Sequence, residues 1–350
     1  MKKRFDFLSH DLGVDLGTSH VLINMDGKGV VVREPAVVAV DKNTGKVLQV
    51  GAAARNMLGR TPGNVIAMYP MSEGVISDYE LTVKMLQILF RKTSKSSLFT
   101  PKPRIVISVP SGIKEMEERT IINAAIEAGA RRVYLIEEPL AAAMGANLNI
   151  SGPGGHLVVD IGGGTTDIAV VTMNDVAISS SIKTAGVAFD NAIINYVRRK
   201  HGVIIGQTTA EDVKIQIGSV YPLNENPAMV VRGRDIKTGV PKEVTLTASD
   251  LCTNVLSRMG QVIADEVLSV LEETSPELVG DIATTGITLT GGGSLIAGMD
   301  LLLQERTGLP CHIADDPESC VVYGCGKSLA WINHMTEGPI NIAKKRLMRK

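Results

Sequence analysis

Two short turns constrain this chain more than anything else in it. The first is Asp15-Leu16-Gly17-Thr18; the second is Asp160-Ile161-Gly162-Gly163-Gly164-Thr165-Thr166-Asp167. Each follows an apolar, strand-like run (Leu12-Gly13-Val14; Leu157-Val158-Val159) and leads into another (Val21-Leu22-Ile23; Ile168 to Val171). The pattern predicts two β-hairpins whose tight turns present backbone N–H groups and small hydroxyls. Unpaired amides in such a turn form a concavity suited to phosphate oxygens. An acid beside the turn cannot hold phosphate itself, but it can hold the hydrated Mg²⁺ that bridges phosphates. The same device occurring twice predicts two related half-domains gripping one nucleotide from opposite sides.

Each motif also has a plainer reading. Asp-x-Gly-Thr alone fits an ordinary hairpin turn, where Asp and Gly are common. Three glycines in a row weaken a regular element by up to about 1 kcal/mol each, a cost tolerated where backbone must come close to something else. The run Leu289-Thr290-Gly291-Gly292-Gly293-Ser294 joins a strand to a helix, with Ser294 as a candidate N-cap, and fits either a tight turn or a ligand loop. In Glu137-Glu138-Pro139 the acids could position a water, or simply complement the N-terminal dipole of a helix. There is no Walker A loop, since Val321 rather than glycine stands ahead of Gly326-Lys327-Ser328. The first strand is not followed by the glycine fingerprint of a dinucleotide fold.

The 350 residues suffice for two domains of ordinary size. Strand runs alternating with helical periodicity predict an α/β fold of two related domains with mixed sheets. The first covers residues 10–152, with an inserted small lobe at about 40–75. The second covers 153–321, with an inserted lobe at about 190–250. A C-terminal helix at 322–340 is expected to return to the first domain, and residues 1–9 and 341–350 to be flexible or membrane-contacting ends. Helical patterns run over about 52–58, 79–93, 114–128, 140–146, 189–200, 210–217 and 249–273, and from the triple glycine to Arg306. Aromatic residues make up only 3%, so the cores must rest on Val, Ile, Leu, Ala and Met, as in buried sheets. A net charge of −1 offers nothing to draw nucleic acid. Four cysteines without a CxxC pair and six scattered histidines predict no zinc site, and thiol usage fit for a reducing cytoplasm. No apolar run of about 18 residues exists to cross a membrane, and Met1-Lys2-Lys3-Arg4 does not open a secretory leader.

Together, and in this order, the motifs resemble the ATPase superfamily of actin, hexokinase and Hsp70, and within it the bacterial actins of the MreB/Mbl family. Further segments carry the resemblance: Gly59 to Asn64 (GRTPGN), Gly74 to Asp78 (GVISD), Leu135 to Pro139, Val158 to Thr166, Arg232-Gly233-Arg234, Thr274 to Leu278 and Asp315-Asp316-Pro317. It implies an actin-like ATPase fold with four subdomains around a central ATP cleft. It also implies slow ATP hydrolysis and double protofilaments at the inner face of the cell membrane. Their role would be to guide peptidoglycan elongation with partners such as MreC, MreD and RodZ and to maintain rod shape.

The family's roles fall on residues of this chain. Asp15 and Asp160 would hold Mg²⁺ through water, and Glu138 would orient the attacking water. Gly17, Thr18, Ser19 and His20 on one side, and Gly162, Gly163, Gly164 and Thr165 on the other, would clamp the phosphates of ATP. Gly291, Gly292, Gly293 and Ser294 would flank the adenosine, with Lys214 and Gln216 near its ribose or base. Met1, Phe5 and Leu8, on one face of a short helix, and Leu98-Phe99, at a loop tip, would touch the membrane. The chain departs from the family pattern at Ser19-His20 (usually Ala-Asn), Tyr69 (usually Arg), Val187 (commonly an acid) and Gln216 (frequently an acid). The missing charge at Val187 bears on turnover and interdomain coupling more than on nucleotide binding. A sugar kinase or an Hsp70-like chaperone ATPase of the same superfamily is the rival reading, as is a paralogue with impaired hydrolysis. The kinase would need a base over a second substrate pocket, for which no motif is present, and the chaperone usually carries a further substrate-binding domain.

Overall fold

The apolar runs that lead into the two turns become the central strands of two sheets with the same wiring. A computed structural model describes residues 11–93, 102–332 and 340–341. The expected membrane-contacting residues Met1, Phe5, Leu8, Leu98 and Phe99 lie outside them, as does most of both expected end segments. In the first sheet β1 (Leu12–Leu16), β2 (His20–Met25) and β3 (Gly29–Pro35) form an antiparallel meander. In the second, β11 (His156–Ile161), β12 (Thr166–Thr172) and β13 (Asp175–Ile182) do the same. β1 then pairs in parallel with β9 (Arg104–Val109), and β9 with β10 (Arg132–Glu137). β11 likewise pairs in parallel with β17 (Ile287–Thr290), and β17 with β18 (Cys311–Ile313). A short β19 (Ile340–Asn341) adds to the β10 edge.

Each domain carries an inserted three-stranded sheet. In the first it is β4 (Val38–Asp41), β5 (Val47–Val50) and β6 (Val65–Met68), with α1 (Ala52–Arg55) beside it. In the second it is β14 (Val203–Ile204), β15 (Ala228–Asp235) and β16 (Pro241–Thr247). A two-residue ladder, β7 (Met71–Ser72) with β8 (Val75–Ile76), leads from the first lobe into α2 (Tyr79–Thr93). The remaining helices are α3 (Glu115–Glu127), α4 (Glu138–Gly145), α5 (Gly186–His201), α6 (Gln207–Ile217), α7 (Ala248–Leu251), α8 (Ser257–Glu273), α9 (Pro276–Thr285), α10 (Met299–Thr307) and α11 (Cys320–Ile332).

Three departures from the sequence reading have local causes. The amphipathic run at 249–273 is interrupted by a π-helical turn at Cys252–Leu256, between α7 and α8. α9 and β18 were not anticipated: α9 starts at Pro276, directly after the long run, and β18 is only three residues long. The segment after the triple glycine is not one helix. It makes a 3-10 turn at Gly292–Leu295, breaks, and restarts as α10 only after Gly298, whose φ of 77° needs glycine.

Each domain has its own core, built largely from Val, Ile, Leu and Ala. A third cluster fills the space between the two sheets. Here α4 and α11 pack side by side, with Val106 and Tyr134 of the first sheet on one flank and Val158, Ala169 and Val171 of the second on the other. α11 packs against α4 and against β1 and β9 of the first sheet. The helix pair is unusually close. A Cβ on Gly145 would stand 1.7 Å from the Cys320 carbonyl oxygen, and one on Gly324 1.8 Å from that of Ala141. Since α4 starts at Glu138, this packing fixes where the acid enters the cleft. Gly324→Ala is therefore expected to destabilise the protein by about 1–3 kcal/mol through overpacking. Gly280→Ala in α9, where an added Cβ meets open space, is expected to leave the melting temperature unchanged or raise it. Thermal melts of the two variants check both statements.

Candidate nucleotide site

The two acid-led turns face each other across one cavity of about 310 Å³. Contact between them is close enough to dictate residue type. A Cβ on Gly163 would lie 2.1 Å from Ser19 Oγ, and one on Gly164 2.1 Å from Thr18 Oγ1. The glycines of the second turn are thus required by the hydroxyl residues of the first. Thr18 Oγ1 also accepts the Gly74 N–H at 3.0 Å, which brings the connector between β7 and β8 to the same end of the cavity as the turns. The second turn closes through Gly162 N–H to the Thr165 carbonyl at 2.9 Å. The first amides of α5 support it: Gly186 and Val187 donate to the carbonyls of Gly162 and Gly163 at 3.0 and 2.8 Å. Val187 therefore holds the turn through its backbone, which any side chain permits.

Three acids reach the cavity floor, and a fourth is buried next to them outside its lining. Asp15 is the penultimate residue of β1, with its Oδ1 taking the Ser108 hydroxyl at 3.3 Å. Asp160 is buried on β11, and its Oδ1 takes the Thr290 hydroxyl at 2.6 Å. Glu138 is buried at the first position of α4, with Pro139 next, and so lies at the positive end of that helix. Asp167, which sequence reasoning used only as the end of a motif, stands opposite Asp160 in the β11–β12 register. It is completely buried, and its Oδ1 takes the Ser111 N–H at 2.8 Å.

Burial moves all four acids in one direction. Desolvation pushes Asp15 up to about 6 despite the Ser108 bond. It pushes Asp160 up to about 7 against the Thr290 bond, with the charges of Asp167 and Asp15 adding to the rise. Glu138 is raised well above the carboxylate range, first by burial and then by the charges of Asp167, Asp15 and Asp160. Asp167 is raised by burial, opposed by its bond from Ser111. Among the described residues no lysine or arginine neutralises this cluster. No three acids, histidines or cysteines among them converge tightly enough to chelate an ion directly. Desolvated acids on opposite walls, each with an oxygen to spare, fit a cation held through its water shell.

The other walls take some of the residues that the sequence reading named and leave others out. Gly291, with φ 78°, lies against the Ile161 carbonyl at the end of β11, where a Cβ would stand 2.3 Å away. Gly292, Gly293, Leu295 and Ile296 continue that wall. Ser294 is not an N-cap and does not line the cavity. It is buried inside the 3-10 turn, and its hydroxyl donates to the Gly291 carbonyl at 2.6 Å. Lys214 reaches the wall, but its ammonium is held by Asp190 at 2.8 Å and the Gly186 carbonyl at 3.1 Å. Gln216 is exposed and is not part of the wall; Glu211 and Ile215 of α6 are. The 3.6-residue period explains this, because 211, 214 and 215 share a face that 216 leaves. His20 stands at the mouth.

Several bonds across the mouth were not foreseen. Arg55 of the first lobe pairs with Glu211 at 2.5 Å, and Arg33 of β3 with Glu318 at 3.0 Å. On the outer side Lys183 pairs with Glu73 at 2.5 Å. Such long-range pairs leave no local pattern. The only hint was the acidic run at Asp315-Asp316-Pro317-Glu318.

Comparison with known proteins agrees with this architecture. The family model described as MreB/Mbl protein matches residues 9–337. The cell shape-determining protein Mbl of Bacillus cereus is 47% identical over 327 residues, covering 93% of this chain and 98% of that protein. The cell shape-determining protein MreB of Escherichia coli is 45% identical over 337 residues, covering 95% and 97%. Crystal structures of MreB5 of Spiroplasma citri bound to AMPPNP and to ADP superpose with a TM-score of 0.87 at 39% identity, over 93% of this chain and 97% of theirs. With its duplicated sheets and opposed turns, the chain has the actin-like fold and belongs to the MreB/Mbl family.

Proposed function

We propose that this chain binds ATP with Mg²⁺ between the two turns, hydrolyses it slowly, and polymerises into filaments whose assembly follows the state of the nucleotide. The observation that carries the reading is the contact of Ser19 and Thr18 with Gly163 and Gly164 beside desolvated acids from both walls. It is supported by the AMPPNP- and ADP-bound structures of the Spiroplasma citri protein. A magnesium ion held through water by Asp15 and Asp160 would supply charge neutralisation to the phosphates. The turn amides and hydroxyls bind and orient the triphosphate, and Glu138 orients the attacking water. Positioning and charge neutralisation suffice for phosphoryl transfer, without a covalent intermediate. Loss of the γ-phosphate removes charge-assisted hydrogen bonds of about 1.5–3 kcal/mol each and so loosens the grip of one domain on the other. In the cell we place the filaments, as homopolymers with double protofilaments, at the inner membrane surface, where they organise peptidoglycan elongation with MreC, MreD and RodZ and maintain rod shape. The cell shape-determining relatives support that placement.

Sedimentation tests the reading. The chain is expected to pellet with Mg-ATP and to remain in the supernatant with EDTA, whereas a sugar kinase or chaperone ATPase stays in the supernatant in both. Phosphate release is expected to fall at least about tenfold in Glu138→Ala, the scale of a lost catalytic positioning group, with ATP still bound. Equal rates in the variant and the parent would remove Glu138 from its role. Polymer without phosphate release in the parent would favour the paralogue with impaired hydrolysis.

Asp160 offers a second check. Its native value near 7 against an ordinary 3.8 means that the fold disfavours the charged form. The resulting destabilisation is absent at low pH, grows as pH rises between these values and is complete above the upper one. Asp160→Asn is therefore expected to raise the metal-free melting temperature more at pH 8 than at pH 5, while abolishing Mg-dependent nucleotide binding. A lower melting temperature at pH 8, or parent-like binding by calorimetry, would contradict it.

A further inference from the structure

One buried side chain of the second domain reaches into the first at the point where the reaction is assigned. Asp167 lies on β12, yet its Oδ1 accepts the backbone N–H of Ser111, in the loop after β9. Its carboxyl also neighbours that of Glu138, at the start of α4, closely enough for each to shift the other's proton affinity. Ser111 and Glu138 both belong to the first domain, so Asp167 holds two first-domain groups at once. Thr165, in the turn before β12, and Ser181, its register partner across β12–β13, lie against it. Among the described residues no N–H or hydroxyl donates to Oδ2, which is buried. The side chain is fully enclosed, so packing leaves it a single orientation. Glu138 has its own Cα fixed by the α4–α11 packing, while its carboxyl stands at the cavity with Asp167 beside it.

We infer that Asp167 is the positioning residue for Glu138: it sets the orientation of the water-directing carboxyl, and does so only while the second domain is docked against Ser111. The inference rests on the ATPase reading above and deepens it. Cleft closure and hydrolysis then meet in one side chain. When the domains part, Ser111 and Glu138 leave with the first domain while Asp167 stays with the second, and the acid loses its alignment. Asp167 need not touch nucleotide for this, and it does not line the cavity.

The test is single-turnover phosphate release with nucleotide affinity measured in parallel. Asp167→Ala is expected to release phosphate at least tenfold more slowly than the parent, with ATP and ADP affinity within about twofold. Asp167→Asn, whose amide can accept from Ser111 and donate to Glu138, is expected to recover the rate to within about threefold. The double variant Asp167→Ala/Glu138→Ala is expected to be no slower than Glu138→Ala, because a residue acting through another adds nothing once that other is gone. A parent-like rate in Asp167→Ala would overturn the inference. So would a rate loss that Asp167→Asn fails to recover, or independent losses that multiply in the double variant. If Asp167→Ala does not melt cooperatively, Asp167→Ser carries the same expectations. A parent that binds ATP but releases no phosphate would instead remove the hydrolysis reading itself, and this inference with it. A hydrolysing parent with an indifferent Asp167 removes the inference alone.

Discussion

Desolvated negative charge is the constraint around which this structure is arranged. Asp15, Asp160, Asp167 and Glu138 come from β1, β11, β12 and α4, and all four are held above the usual carboxylate range. Uncompensated acids at this density oppose folding, since burial disfavours the charged form and like charges add to the penalty. Lys214, a cation of the cavity wall, is committed to Asp190 and the Gly186 carbonyl. The fold thus keeps a cleft of desolvated acids beside the two opposed glycine-rich turns. The stability lost there is recovered in three apolar cores.

The same constraint explains why the domains are joined as they are. Exposed pairs such as Lys183–Glu73 contribute little, because solvent screens them and long side chains must be ordered. The half-buried Arg55–Glu211 pair and the buried Ser111–Asp167 bond are better placed to tie the lobes above and the sheets below. Between these levels the turns touch directly through Ser19 and Gly163. The cleft is therefore bordered from mouth to floor by contacts that cross from one domain to the other. Any motion between the domains must change the opposed turns and the acid cluster together.

Much of this could be read from the residues. The strand runs on either side of Asp15 and Asp160 were legible because period-two apolar patterning and Gly-rich turns are local signals. The strand before Gly291 was legible for the same reason, while α4 was marked by the proline at its first turn and begins at Glu138, two residues before the 140 that its pattern indicated. The resemblance to bacterial actins, carried by many short segments, supplied the roles of Asp15, Asp160 and Glu138 that spacing alone left open. Ser294 and Gln216 were misplaced. A capping serine and a buried hydroxyl inside a 3-10 turn look alike in sequence, and the side of α6 that faces the cleft depends on how that helix docks.

The sequence by itself determined the duplicated hairpin plan, the apolar cores poor in aromatics, and the identity of the acids and glycines at the two turns. Those follow from bonded neighbours and from short-range patterning. Only the tertiary structure decided that Gly163 and Gly164 are required by Ser19 and Thr18, that Glu211 rather than Gln216 faces the cavity, and that Asp167 crosses to Ser111 and Glu138. These pairings join residues far apart in the chain, and their energies depend on distance and burial in three dimensions, which no local pattern encodes.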